Sequence, residues 1–354
     1  HGPHSQRQTR KGPALDIKQV VVTGQNQVEL QDLTLDSGDL RPTEILVETE
    51  YTYISTGTEL ANYTGREPKV LEAGAWCAYP WRSGYANVGI VADTGSAVSA
   101  AAVGDRVFTY GPHASHARYD TARLTTRVPD DLDPAIAAAS RMAGVATTST
   151  IVAEIKDDPW VIVFGLGMVG NLAAQAFGIQ GCRVIGVDPV AGRRDLAERC
   201  GIPYTVGGSP VEAQAAVQGI TGGALGGITV DAVGHSAVVM QALRATADHG
   251  QLVILGSPRV PVQGNLTELL GEVHLRWITV RGALEWRLPM YPVTGDHVSQ
   301  HSKQQMIFDW LARGKMALEP LISHRLAPAQ IKQAYDGLEH DPDTYTGVLL
   351  DWTR

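Results

Sequence analysis

The spacing of apolar and polar residues changes character along this chain. From Ile17 to about Arg127 the apolar positions fall in short β-branched and aromatic runs: "KQVVVTG", "EILVETEYTYIS", "ANVGIVADTG" and "DRVFTYG". Glycine and proline punctuate them, which predicts the strands of a small barrel-like β domain. "PAIAAASRMAGVATTSTIVAEI" then reads as a helical bridge. From Pro159 the pattern switches to continuous apolar strands separated by helices. Strand "WVIVFG" is followed by helix "MVGNLAAQAFGIQG", strand "RVIGVD" and helices "AGRRDLAERCG" and "VEAQAAVQGI". Strand "ITVDAV", helix "SAVVMQALRATAD" and strands "QLVILGS" and "LRWITVRGAL" complete the series. Buried strands alternating with helices predict a doubly wound parallel sheet, an α/β fold.

Beyond about Glu285 come helix "KQQMIFDWLARG", extended "LISHRLA", helix "PAQIKQAYDGLEH" and strand "TGVLLDW", a tail expected to return to the first domain. The expected division is a β domain of residues 14–150 with 286–354, and a nucleotide domain of 151–285. Residues 1–13, polar, basic and without an initiator Met, read as a disordered tail or expression remnant rather than a secretory signal.

Composition narrows the function classes. A chain of 354 residues suits two domains. No apolar run approaches the roughly 18 residues of a membrane span. The net charge of −8 argues against a nucleic-acid surface and for small-molecule substrates. Cys77, Cys182 and Cys200 form neither a disulfide framework nor a Cys-x-x-Cys pair, which suits a reducing cytoplasm.

Gly165, Gly167 and Gly170 make Gly-x-Gly-x-x-Gly where a strand ends and a helix begins. The first glycine permits the turn, the second lets pyrophosphate approach the backbone, and the third lets helix and strand pack closely. The helix N-terminus then offers unpaired N–H groups to phosphate. Asp188 ends the next strand at the expected distance of about 20 residues. A carboxylate there accepts from ribose hydroxyls and repels a 2′-phosphate, so NAD(H) is expected over NADP(H). Arg193 and Arg194 are the counter-evidence, since either could grip a phosphate; Arg194 is read as a solvated helix face.

With these parts in this order, nearly everything after residue 14 resembles the medium-chain dehydrogenase/reductase (alcohol dehydrogenase-like) superfamily. The markers are "STGTEL" (55–60), "GYANVGIV" (84–91), "GDRV" (104–107), "GVATT" (144–148), "GLGMVG" (165–170), "VDAVG" (230–234), "ILGS" (254–257) and "RGAL" (281–284). The resemblance implies a GroES-like β-barrel catalytic domain joined to a Rossmann domain. It also implies a nucleotide pocket. Thr147 stands beside the nicotinamide, and Gly165, Leu166, Gly167, Met168, Val169 and Gly170 at the phosphates. Asp188 and Arg193 meet the adenosine ribose, and Ala232, Val233 and Gly234 the adenine-side strand. Leu255, Gly256, Ser257, Ala283 and Leu284 line the nicotinamide side.

Zinc-dependent relatives hold Zn2+ with Cys, His and Cys or Glu, and the metal polarises the substrate oxygen. The corresponding positions here are Thr56, Tyr85 and Ala143, so no catalytic zinc is expected. Residues 104–127 hold no cysteine, so the four-cysteine structural zinc lobe is missing too. His113 and His116 alone make a thin case for another metal.

A proton must still pass to or from the substrate oxygen. Thr58 occupies the place of the relay hydroxyl, while the next relay position is Ala61. Tyr85 stands where a zinc-bound histidine would face substrate; the competing reading is an aromatic plug in vacated space. Glu59 could orient or act as base, and His113 and His116 are the nearby imidazoles with pKa near neutrality.

The leading expectation is a zinc-independent, NAD(H)-dependent oxidoreductase of a secondary alcohol or ketone. "STGTE" resembles the bacteriochlorophyllide a dehydrogenase and sugar or cyclitol dehydrogenase branch, pointing to a hydroxylated biosynthetic substrate. Alternatives are a quinone or enone reductase, a redox-neutral enzyme with tightly held NAD, and a non-catalytic nucleotide-binding protein. A cytoplasmic homodimer is expected, paired partly through "LRWITVRGAL", because a bare apolar edge strand invites pairing.

Overall fold

The computed structural model describes residues 14–157, 159–259, 261–295 and 298–354. The tail reading for residues 1–13 lies outside them. Among the described residues no helix is long and apolar enough to cross a membrane.

The first half is built of strands. β1 (Ala14–Gly24) and β2 (Gln27–Asp36) form an antiparallel hairpin through Asn26, which adopts the positive φ such a tight turn requires. β3 (Glu44–Tyr53) leads through α1 (Thr58–Tyr63) to β4 (Trp81–Arg82), which pairs with β1. β5 (Asn87–Thr94), β6 (Arg106–Thr109), β7 (His116–Asp120) and β8 (Thr125–Arg127) complete the set, with β5 and β7 flanking β3.

α2 (Pro134–Val152) follows. The Asp133 carboxylate caps it, accepting from the Ala135 N–H at 2.7 Å, and Pro134 fills the first position, where a missing N–H costs nothing. Its alanines, glycine and short hydroxyl residues let neighbours come close. It packs on α3 (Met168–Ile179), on β3 and on α8 (Gln300–Ala312), inside a core running from Val88 through Ala138 to Val163 and Ile307.

The second half is a parallel sheet: β9 (Trp160–Phe164), β10 (Arg183–Val187), α4 (Ala191–Arg199), β11 (Tyr204–Val206), α5 (Pro210–Thr221), β12 (Gly226–Asp231), α6 (Ser236–Ala245), β13 (Thr246–Ile254), α7 (Leu266–Leu275) and β14 (Thr279–Gly282). The strand order is β11-β10-β9-β12-β13-β14. Connectivity runs outward from β9 to one side and then restarts at β12 on the other. Ligands of open α/β sheets bind at that switch point, beyond the carboxyl ends of the strands.

Two elements differ from the sequence pattern. The helix expected over "SAVVMQALRATAD" ends at Ala245, and Thr246 already belongs to β13, its hydroxyl 2.7 Å from that of Thr229. The strand expected over "LRWITVRGAL" is confined to Thr279–Gly282, because Leu275 still closes α7 and Trp277 turns at φ 52°.

The tail returns to the first sheet. β15 (His324–Leu326) and β16 (Val348–Asp351) extend it, with β16 antiparallel to β3. Between them α9 (Ile331–His340) lies against α1 and β2, which delivers Tyr335 to Glu59.

Candidate active site

A cleft of about 420 Å3 joins the halves, with Thr56 on one wall and Gly167, Met168, Arg193 and Val233 on the other. The three glycines face different demands. Gly165 turns at φ 89°. A Cβ on Gly167 would meet nothing within 4 Å, so its backbone stands open to a ligand. A Cβ on Gly170 would lie 1.8 Å from the Gly165 carbonyl oxygen, so only glycine lets α3 start this close to the strand end. Open backbone at a helix N-terminus suits a pyrophosphate. The opposite rim is equally tight: a Cβ on Gly256 would lie 2.2 Å from the Gly234 nitrogen, and Val233, 52% exposed, projects over Gly165.

Asp188 is buried at the end of β10, one carboxylate oxygen accepting from the Leu166 N–H and the other from Val190 N–H, both at 2.8 Å. Arg193 lies 3.7 Å from it and lines the cleft. Arg194 is committed elsewhere, donating to the carbonyls of Asp188 and Pro189 at 2.7 and 3.0 Å. Ala232 and Leu255 sit on strand ends tied by backbone bonds to Phe164 and Asp231, and the Ala283 N–H donates to Ile254. Leu284 is exposed beyond it. Thr147 is buried in α2, its hydroxyl donating to the Ala143 carbonyl at 2.8 Å.

Tyr85 is half-buried, and its hydroxyl donates to Ser55 Oγ at 2.5 Å. Its position follows from Gly84, whose φ of 101° and missing side chain let the chain press against His113; a Cβ there would lie 2.3 Å from the His113 nitrogen. Burial pushes the Tyr85 phenol up from its ordinary value; Arg141 opposes this, Glu59 adds to it, and the Ser55 and Thr58 side chains oppose it. Tyr85, Thr58 and Ser55 therefore form one hydroxyl cluster.

Glu59 lies beneath the cluster, fully buried. One carboxylate oxygen accepts from Ser55 N–H at 2.9 Å; the other contacts His113 Nε2 at 2.9 Å and accepts from the Tyr335 hydroxyl at 2.7 Å. His113 Nδ1 is buried and has no hydrogen-bond partner among the described residues. Among the described residues no hydrogen bond joins His113 to Tyr85; Glu59, which it contacts, accepts from the Ser55 backbone N–H rather than from the hydroxyl that Tyr85 meets. His116 starts β7 opposite Glu48 and touches the Ser115 hydroxyl at 3.3 Å. Among the described residues no hydrogen bond joins it to Tyr85, Thr58 or Glu59. Burial holds its imidazole below the ordinary value, with Glu48 opposing.

The sequence reading missed the other side of Tyr85. Arg141 of α2 is 1% exposed, its guanidinium 4.8, 4.6 and 5.2 Å from the ring centroids of Tyr85, Tyr110 and Trp286. Glu285 lies 2.5 Å from Arg141 and 2.6 Å from Lys303, whose ammonium also donates to the Gly144 carbonyl at 2.7 Å. Arg141 carried one signal: it is the lone charge in a helix otherwise made of apolar and small polar residues. Glu285 and Lys303 carried none.

These residues do not fit a zinc ion. Thr56 and Tyr85 are poor neutral donors, Ala143 offers no side-chain donor, and a buried guanidinium already stands over Tyr85. No group of three or more His, Cys, Asp or Glu among the described residues is placed to hold a metal.

Residues 168–292 match the zinc-binding dehydrogenase family. An alcohol dehydrogenase of Geobacillus stearothermophilus is 26% identical over 67% of this chain and 74% of its own. The chain is an alcohol dehydrogenase-type oxidoreductase. An L-threonine 3-dehydrogenase of Bacillus velezensis is 25% identical over 65% of this dehydrogenase, which spans only 62% of that relative's length. In fold it is similar to galactitol-1-phosphate dehydrogenase of Escherichia coli, with TM-score 0.79, 19% identity and coverage of 94% and 99% of the two chains. A structure of the same fold from Escherichia coli holds NADH (TM-score 0.78, 17% identity, 95% and 99% coverage). One from Sinorhizobium meliloti holds NADP (TM-score 0.74, 19% identity, 95% and 99% coverage).

Proposed function

We propose that this dehydrogenase interconverts a secondary alcohol and a ketone on a hydroxylated substrate, such as a sugar, a cyclitol or a biosynthetic intermediate, using NAD(H) and no zinc. The observation that carries the reading is the Tyr85 hydroxyl, bonded to Ser55 and backed by a guanidinium. The nicotinamide supplies the hydride acceptor or donor. Gly165–Gly170, Asp188 and Arg193 would hold the dinucleotide, with Thr147, Leu255, Ala283 and Leu284 on its nicotinamide side. Tyr85, protonated at neutral pH, donates to a carbonyl oxygen, and in the reverse direction its own proton moves to Ser55 Oγ as the alcohol proton reaches the Tyr85 oxygen. Glu59, fixed by His113 and Tyr335, orients this cluster. The test is a screen of the purified protein for NADH formation and consumption on polyols, cyclitols, sugar derivatives and their ketones. Tight NADH binding with no turnover on any of them, or on quinones and enones, would replace this reading with a nucleotide-binding role.

Three further outcomes follow from the same geometry. Activity survives strong chelation, and elemental analysis finds no stoichiometric zinc; one tightly bound zinc per chain contradicts the reading. NADH binds more tightly than NADPH in calorimetry, because two backbone N–H groups fix the Asp188 carboxylate at the ribose end of the cleft while Arg194 is occupied. Asp188→Ala weakens NADH binding and narrows the preference, whereas tighter NADPH binding by the unaltered protein reverses the assignment. Light scattering at micromolar concentration reports a homodimer. β14 is an edge strand, α7 buries none of its residues, and Leu266, Leu270, Leu275, Trp277 and Val280 are exposed around it. A monomer there rules the dimer out.

A further inference from the structure

A guanidinium removed from water carries a large desolvation cost, and a well-packed apolar side chain in its place is often as stable or more so. Arg141 is nonetheless buried inside α2, where its neighbours in sequence are Ser140 and Met142. Among the described residues its Nε has no hydrogen-bond partner, and its Nη1 touches Glu285 at 2.5 Å without hydrogen-bond alignment. Most of what it faces is aromatic: Tyr85, Tyr110 and Trp286. A cation over a ring face is attracted to the ring's electron density. Over a phenol it does more, since the phenolate carries a full negative charge.

Two of the three rings are phenols, and only that of Tyr85 is partly exposed. The Tyr110 hydroxyl is buried and committed to Gln300 Oε1 at 2.8 Å. The Tyr85 hydroxyl belongs to the half-exposed ring and points into the Ser55 and Thr58 cluster. We infer that Arg141 is a positioning residue for Tyr85, a fixed cation whose charge stabilises the phenolate formed when Tyr85 gives up its proton. This rests on the proposed role of Tyr85 as proton donor and acceptor. The charges around Tyr85 are few: Arg141 from α2 favours the phenolate, and Glu59 from α1 opposes it. Glu59 is itself bound by His113 and Tyr335. Behind Arg141 stand Glu285, which fixes the guanidinium, and Lys303 of α8, which shares that carboxylate. Tyr110 flanks the guanidinium on its other side.

The test compares the pH dependence of turnover, and the ultraviolet titration of tyrosinate with Tyr85→Phe as blank, in the unaltered enzyme, Arg141→Met and Arg141→Lys. A unit charge several ångströms away at a partly buried site displaces an ionisation by about one pH unit or more. Arg141→Met therefore moves the limb belonging to Tyr85 upward by about that much and lowers kcat about tenfold, leaving KM for NADH unchanged. Arg141→Lys keeps the charge but cannot stack a planar group on three rings, so its limb moves in the same direction by less. A folded Arg141→Met enzyme with the original profile and titration overturns the inference and leaves Arg141 as a structural staple. Should that variant fail to fold, an unchanged profile and titration in Arg141→Gln, which removes the charge but keeps a polar side chain beside Glu285, overturns it equally. The parent reading fails on a different result, full turnover in Tyr85→Phe, whatever Arg141 does.

Discussion

Replacing Tyr85 with Phe is expected to lower turnover by about 100-fold or more, with NADH affinity nearly unchanged. The substitution removes one oxygen from a ring held by Trp286 at 6.3 Å and by the Arg141 guanidinium, so packing survives and only the donor disappears. Ser55 keeps its backbone bond to Glu59, and the Glu59–His113–Tyr335 set is not touched. The dinucleotide turn lies on another element. Loss therefore falls on kcat, where a group acting on the reacting oxygen is felt, rather than on cofactor binding. Steady-state kinetics with a fluorescence titration of NADH separates the two. A Phe enzyme of full activity makes Tyr85 a plug and moves attention to Thr58 and Glu59.

Glu285→Ala should cost stability on the scale of breaking a buried ion pair, about 3–5 kcal/mol. It strips the counter-charge from Arg141 and Lys303 together, and all three side chains are buried. Lys303 can shed its proton, since burial already holds its ammonium below the ordinary value with Glu285 opposing; Arg141 has no such exit. The pH dependence carries a sign. Burial pushes the Glu285 carboxyl up, but the Arg141 and Lys303 charges outweigh it and hold the carboxyl below its ordinary value. Its contribution is therefore fully present above the unfolded value of about 4.3 and is lost as pH falls through the lower folded value. Urea unfolding of the unaltered protein, Glu285→Ala and Glu285→Gln checks this. A loss under about 1 kcal/mol for the alanine variant would mean that the charges are solvated or neutral.

The fold was legible because each sheet announces its own period. β9 and β10 are continuous apolar runs flanked by helices, and the glycine turn between β9 and α3 marks where the strand ends and the helix begins. Boundaries were less legible where local preference and sheet pairing compete. Thr246 continues a helical pattern on paper, yet its hydroxyl and backbone are claimed by β12. At the site, Tyr85 and Thr58 were visible from their places in short motifs, and Glu59 beside them. The two histidines could not be separated by eye, because only the turn at Gly84 shows that His113 faces inward while His116 enters a strand. Arg141, Glu285 and Lys303 come from three distant segments, and no local pattern encodes a contact of that kind.

The guanidinium over Tyr85 also bears on how this site could change over generations. Thr56→Cys, Tyr85→His and Ala143→Cys would introduce a metal-binding donor set in sequence, yet the divalent ion would arrive beside a cation that cannot lose its proton. Exchanging Arg141 first would leave Glu285 buried with Lys303 alone. Glu285 and Lys303 alone would still be a charge-matched pair, so the guanidinium is the member of the trio that a divalent ion at these positions would have to displace.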